Sequence, residues 1–297
     1  REDVVEISAH GGSAVLKAIL DLAIRHGARL AAKGEFTKRA FLNGRIDLLQ
    51  AEAVVDLVKA KTELGRRWAT AQLEGALSKK MKTIKNALLN LLSRLEASID
   101  FPEDLIDPEP LEDVQKRLRS LEEDLTGLLS KASLGFIVKN GYKIVIAGRP
   151  NVGKSSLMNC LSKVNRVIVT PYAGTTRDTV EEEIQIKGFP LRLVDTAGIM
   201  NTDHPIKKEG IERSKAAVAE ADLVLYMMDG SESWQKEDES LLKDLGDKRK
   251  ILVVNKSDLL QALDPKEIKK YGADAPIVLT SCVKEEGVKL LENEILR

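Results

Sequence analysis

The sequence predicts an α/β domain, a mainly parallel sheet with helices on both faces, attached to an all-α helical domain and preceded by a partial α+β piece. Three observations carry this. From Gly141 onward, short apolar runs alternate with helical stretches, the pattern of strands joined by crossover helices. Gly148-Arg149-Pro150-Asn151-Val152-Gly153-Lys154-Ser155 fits G-x-x-x-x-G-K-S between an apolar strand at 143–147 and an amphipathic start at Ser156. Before them, residues 47–100 and 111–132 carry apolar residues at three- and four-residue steps, the period of helices.

Residues 1–43 read strand, turn, helix. Asp3-Val4-Val5-Glu6-Ile7 is strand-like, His10-Gly11-Gly12 is the turn, and 14–26 follow helical spacing with Gly27 at the C-cap. His10 beside two glycines suits a ligand contact or a turn leading into a helix, and the turn is the commoner use. The piece is too short to bury a core of its own, so it should pack on the next segment or on something outside the chain. Within 47–100, Leu48, Ala51, Val54, Val55 and Val58 share one helical face, as do Leu88, Leu91, Leu92 and Leu95. Gly65 and Gly75 mark kinks or a break, and Phe101-Pro102 ends the run. The acidic cluster Glu103, Asp104, Asp107 and Glu109 reads as a solvated loop. Leu118, Leu121, Leu125, Leu128 and Leu129 line the next helix. Two long helices with narrow apolar stripes need further helices to cover them. The expected strands are 143–147, 181–186, 191–195, 223–229, 251–255 and 277–281. Ligands of such sheets bind at the carboxyl ends of the strands, where the phosphate loop, Asp195 and Asn255 all fall.

The chain has 297 residues, about two domains by length. It holds 46 basic and 46 acidic residues, so no global charge points to nucleic acid or membrane, and any RNA contact must be a local patch. There is no apolar run long enough to span a membrane and no signal peptide. Cys160 and Cys282 suit two reduced thiols in a cytoplasmic protein. The chain opens at Arg1 without a Met, directly in a strand-like run, and reads as a fragment of a longer protein.

The loop motif has a direct physical meaning. Gly148 and Gly153 let the backbone wrap tightly, so its N–H groups, from Asn151 through Ser156, converge on phosphate oxygens at the positive end of a helix. Lys154 reaches the β- and γ-phosphates, and the Ser155 hydroxyl ligates magnesium. Asp195-Thr196-Ala197-Gly198 ends a strand as D-x-x-G. Asp195 can hold magnesium through water, and the Gly198 N–H can meet the γ-phosphate. Asn255-Lys256-Ser257-Asp258 follows a strand as N-K-x-D. The Asp258 carboxylate can accept from N1–H and the exocyclic amine of guanine, a donor pair adenine lacks. The Lys256 stem can lie along the base plane, and a backbone N–H near Ser281 can meet guanine O6. Gly174-Thr175-Thr176-Arg177-Asp178 is a Gly-hinged segment carrying a hydroxyl for magnesium, which Thr176 would supply. Arg177 is its cationic candidate for catalysis.

The G-T-T-R-D segment, Asn151 inside the phosphate loop, Gly210-Ile211-Glu212-Arg213, and above all Gly34-Glu35-Phe36-Thr37-Lys38-Arg39-Ala40-Phe41-Leu42-Asn43-Gly44-Arg45-Ile46-Asp47-Leu48 with Gln50-Ala51-Glu52-Ala53 carry a resemblance. Across its whole length the chain resembles the tRNA-modification GTPase family MnmE, also called TrmE. The resemblance implies three parts: 1–43, the last part of a folate-binding, dimerising N-terminal domain; 44–140, an incomplete helical domain; and 141–297, a P-loop G domain of the TrmE type. It implies GTP hydrolysis with magnesium in modifying the wobble uridine of tRNA at carbon 5. The implied partners are a MnmG-like (GidA-like) flavoprotein and a second copy of the chain. A folate resembling 5-formyltetrahydrofolate would supply the one-carbon unit, with Glu6 and Arg45 at the family's folate-contacting positions. It also implies potassium stimulation. The cation would take the Asn151 side-chain oxygen and the carbonyls of Thr170 and Tyr172, with Thr175 close by, which suits the preference of hard cations for oxygen. The plainer and less favoured alternative for Asn151 is a turn residue in a Gly-rich loop.

One position departs from the family. The proposed general base is a glutamate three residues before Gly210, and here that residue is Lys207. A protonated ammonium cannot accept a proton from water. Glu209 could take the role, Lys207 could be neutral, or turnover could be slow. Two other functions stay open: another potassium-dependent GTPase, such as a ribosome-assembly factor, and a nucleotide-gated dimerisation scaffold with little turnover.

Overall fold

The computed structural model describes residues 2–100, 110–165, 181–195, 215–264, 268, 270 and 275–297. The chain divides into two compact units, Arg1–Ala60 with Arg66–Leu128, and Lys61–Gly65 with Leu129–Arg297.

The first unit is helical. α1 (Ser13–Arg25) follows Gly12 and stops at His26, where Gly27 takes φ 98°, a left-handed turn that glycine adopts without strain. Residues 3–7 form no strand, and Val4, Val5 and Ile7 are exposed. A β-branched run makes a strand only where a neighbour pairs with it, and the described residues of this unit offer none. α2 (Glu35–Leu42) lies inside the Gly34–Leu48 block. Glu35 accepts from both Arg29 nitrogens and from the Ala32 N–H, and these bonds pull its carboxyl down to about 2. α3 (Leu48–Lys59) begins in a capping box. The Asp47 carboxylate takes the Gln50 N–H at 2.9 Å and the Gln50 side chain takes the Asp47 N–H at 3.0 Å. Gln50 also donates to the carbonyl of Leu73 at 2.8 Å, at the end of α4 (Glu63–Leu73). Gly65 sits inside α4 without breaking it, whereas Gly75, at φ 83°, separates α4 from α5 (Ala76–Asp100).

The stripe expected on α3 is largely outside. Ala53 is the residue that buries fully, while Leu48, Val55 and Val58 stay exposed. On α5, Ile84 and Leu91 bury and Leu88, Leu92 and Leu95 do not. α6 runs from Leu111 to Asn140, past the expected end at 132, because 133–140 contains no Pro and no break before Gly141.

The second unit carries a six-stranded sheet. The strands are β1 (Tyr142–Gly148), β2 (Glu181–Ile186), β3 (Phe189–Asp195), β4 (Leu223–Asp229), β5 (Lys250–Asn255) and β6 (Ile277–Leu279). Their spatial order is β2-β3-β1-β4-β5-β6, parallel except for the β2–β3 hairpin. α7 (Lys154–Asn165), α8 (Lys236–Asp244) and α9 (Val288–Ile295) pack on it. All seven residues of β4 are buried, as expected of the middle of a parallel sheet covered twice. Alternate residues feed two cores. Ile144, Ile146, Leu193 and Leu225 meet Leu157, Leu161 and Leu291 on one face, and Val145, Val224 and Tyr226 meet Leu242 and Ile268 on the other. Each such aliphatic side chain contributes about 1.5–3 kcal/mol on burial. β6 stops at Leu279, two residues short of expectation. Beyond it Thr280 still donates to Val254, and Ser281 bridges to Glu286 instead of extending the strand.

Candidate functional site

The carboxyl ends of β1, β3, β4 and β5 bring the chemistry-bearing residues together. β1 ends in Gly148, and residues 149–153 lead into α7. A Cβ at Gly148 would strike the carbonyl oxygen of Met227 on β4, and one at Gly153 would strike the side-chain amide of Asn255. Both positions also have positive φ, so the loop can lie this close to its neighbours only as glycine. Asn151 is exposed and holds φ 65°, a conformation that asparagine tolerates better than most residues.

Lys154 is buried. Its ammonium donates to the carbonyls of Gly148 at 2.9 Å and Arg149 at 2.7 Å. Burial pushes it below its ordinary pKa, and the charge of Asp195 pulls the other way. The Ser155 hydroxyl donates to Oδ2 of the buried Asp195 at 2.7 Å. A hydroxyl and a carboxylate in contact, beside a lysine, are the hard oxygen donors that magnesium prefers. Val152 is buried and Ser156 exposed on the first turn of α7.

On the other side of the loop, Asn255 ends β5. Its amide nitrogen donates to the carbonyl of Val152 at 2.9 Å, and its oxygen accepts from the Cys282 N–H at 3.3 Å and the Thr280 hydroxyl at 3.4 Å. The side chain of Asn255 therefore fastens the phosphate loop to the loop after β6. The Ser281 hydroxyl donates to Asp258 at 2.6 Å, and this bond holds the Asp258 carboxyl below the usual carboxylate range. A backbone N–H from Thr280, Ser281 or Cys282 is expected near a base oxygen; the three donate to the Val254 carbonyl at 2.8 Å, the Glu286 carbonyl at 3.1 Å and the Asn255 side-chain oxygen at 3.3 Å. Ser281 thus acts on Asp258 through its side chain. Lys256, at φ 60°, pairs through its ammonium with the buried Asp229. Burial alone would raise the Asp229 carboxyl, but Lys256 and the Ser231 donors outweigh it and hold it low.

Five residues that the sequence did not single out join the site: Arg149, Tyr226, Asp229, Glu232 and Asp238. Arg149 is clamped by Asp238 at 3.0 Å and Glu232 at 2.9 Å, and Tyr226 donates to the same Asp238 oxygen at 3.0 Å. Asp229 was legible as a lone charge ending an all-apolar strand, at the same level as Asp195 and Asn255. Asp238 was not, because it sits in a charged run, Lys236 to Glu239, that reads as solvated. Thr170, Tyr172, Thr175, Thr176, Arg177, Gly198 and Lys207 lie outside the described residues. Glu6 and Arg45 are both exposed, and no hydrogen bond or ion pair joins them among the described residues.

Residues 48–297 match the family model described as the MnmE helical domain, and residues 1–45 match that of the GTP-binding protein TrmE N-terminus. The chain belongs to the MnmE family. Among its MnmE relatives, the tRNA modification GTPase MnmE of Thermoanaerobacter sp. (strain X514) is 47% identical over 295 residues, covering 99% of this chain and 64% of that protein. The MnmE of Lactobacillus helveticus (strain DPC 4571) is 48% identical over 296 residues, with the same coverage. The chain thus spans 64% of the length of these MnmE proteins. Among solved structures, the G domain of the T. maritima FeoB iron transporter is 29% identical, over 52% of this chain and 96% of that one, with a TM-score of 0.40. An Era variant from Aquifex aeolicus bound to GDP·AlF4− is 32% identical, over 52% and 55%, with a TM-score of 0.42. Among the described residues no helix is long and apolar enough to cross a membrane.

Proposed function

We propose that this chain is the nucleotide-handling portion of a magnesium-dependent GTPase that acts in tRNA modification. The observation that carries the reading is the Asn255 side chain, which joins the phosphate loop at Val152 to the base-reading loop at Cys282. The names of the relatives, tRNA modification GTPase MnmE, support the tRNA role.

The chain's own residues divide the work. Asp258, oriented by Ser281, accepts from the N1–H and amine of guanine. An adenine there would offer that carboxylate no such donor pair. Lys154 exchanges the carbonyls of Gly148 and Arg149 for phosphate oxygens, and the backbone N–H groups of 151–156 cradle them. Ser155 and Asp195, which bond to each other in this structure, would hold magnesium, Ser155 directly and Asp195 through water. Bound magnesium supplies positive charge to the β- and γ-phosphate oxygens. Thr176 is the second hydroxyl ligand, and Gly198 the donor to the γ-phosphate.

The finer reading follows the family. The three parts are 1–43, 44–140 and 141–297. Potassium would be held by Asn151, Thr170, Tyr172 and Thr175, where its charge would stand in for an arginine finger. The modification is at carbon 5 of the wobble uridine, carried out in the cytoplasm by a homodimer with a MnmG-like flavoprotein. A folate would be contacted by Glu6 and Arg45. The deciding experiment is GTP turnover in potassium against sodium. The expected result is a rate at least about tenfold higher in potassium, and equal rates would remove the cation site from the account.

A further inference from the structure

β4 lies between β1, which carries the phosphate loop, and β5, which carries Asn255 and Lys256. Met227 of β4 is level with Gly148, and Asp229 is level with Asn255. The segment that leaves β4 therefore emerges between the two halves of the nucleotide site, and it makes polar contacts with both. At its start, the buried Asp229 accepts from Lys256, from the Ser231 N–H at 2.9 Å and from the Ser231 hydroxyl at 2.6 Å. The Gly230 N–H donates to the Asn255 carbonyl at 2.9 Å. At its end, the equally buried Asp238 accepts from Arg149 and Tyr226 on one oxygen and from the Gln235 N–H at 3.2 Å on the other. Glu232, between them, takes the second arm of Arg149. The carbonyl of that same Arg149 is one of the two on which Lys154 rests.

Buried carboxylates are costly to desolvate, and an apolar side chain of similar volume would usually stabilise a fold as well or better. Two of them in one ten-residue segment, each committed to a cation in a nucleotide-binding loop, call for a role beyond stability. We propose that residues 229–238 are a positioning strap: Asp229 sets Lys256 against the base, and Asp238 sets Arg149 and through its carbonyl the phosphate loop. Neither carboxylate touches the nucleotide. The two act on different parts of it, Asp229 on the base alone and Asp238 on the β- and γ-phosphates that Lys154 reaches.

The proposal rests on the guanine-nucleotide reading, and one experiment separates the two. A fluorescent GDP analogue is bound to the full chain in magnesium and displaced by GMP, GDP or GTP. Asp229→Asn should weaken all three by one common factor of about tenfold, the size of a lost bond to a charged group. Asp238→Asn should weaken GDP and GTP by a similar factor and leave GMP within about twofold. A purely structural role would lower the unfolding temperature of both variants without this split. Uniform losses in both variants, or unchanged affinities, overturn the strap. If the unmutated chain binds no GDP, the guanine reading fails and the strap with it. Should either variant not fold, Ser231→Ala and Glu232→Gln each loosen one end from a less buried position. They should show the same split at about threefold, and its absence also overturns the proposal.

Discussion

The two ends of the proposed nucleotide site are built differently. At the base end, Asn255, Thr280 and Ser281 are uncharged, almost wholly buried, and bonded to one another's loops. Their hydrogen bonds belong to the fold and need not break for guanine to enter. At the phosphate end, the groups that would touch ligand are engaged with substitutes: Lys154 with two carbonyls of its own loop, and Ser155 with Asp195. The base end is thus preformed, and the phosphate end must exchange partners. Specificity should reside in the first and the rearrangement that accompanies binding in the second.

The largest effect should come from breaking the preformed end. Asp258→Asn reverses the donor and acceptor pattern offered to the base. It should shift the ratio of GTP to XTP affinity by about a thousandfold or more in favour of xanthine, since sites built on paired hydrogen bonds reject the unpaired analogue strongly. Unchanged GTP affinity in a titration would remove Asp258 from base recognition. At the other end, Lys154→Ala should weaken GTP by about a hundredfold, from the loss of charge-assisted bonds. The preference for guanine over adenine should persist at that reduced affinity. A variant that lost affinity and preference together would contradict the division of labour. The smallest effect concerns turnover alone. Lys207→Glu restores the family's residue and should raise single-turnover hydrolysis by about tenfold or more with GTP affinity unchanged. Equal rates would show that this position is not the general base here.

Legibility in the sequence followed burial. β2 and β4 fall at the expected residues, and the other strands within one or two at each end, because each is a short apolar run with polar boundaries. The site motifs were legible because Gly148 and Gly153 must be glycine where they stand. The helical unit was less so. Helical spacing in 48–59 offers several overlapping stripes, and spacing does not say that Ala53 would be the one to bury. Residues 3–7 are strand-like in their β-branched side chains, but pairing is decided by a neighbour that local sequence does not reveal. Arg149 and Asp238 were hidden for a related reason. Arg149 sits in a glycine- and proline-bearing loop and Asp238 in a charged run, and only the meeting of β1, β4 and α8 buries them against each other.

The central claim is that this site reads guanine through a preformed base end. Displacement of a fluorescent GDP analogue from the unmutated chain by GTP and by ATP tests it most directly. The account predicts that GTP displaces the probe at concentrations at least about a thousandfold below those at which ATP does, because adenine lacks the donor pair that Asp258 accepts from guanine. Displacement by ATP and GTP at the same concentration would contradict it.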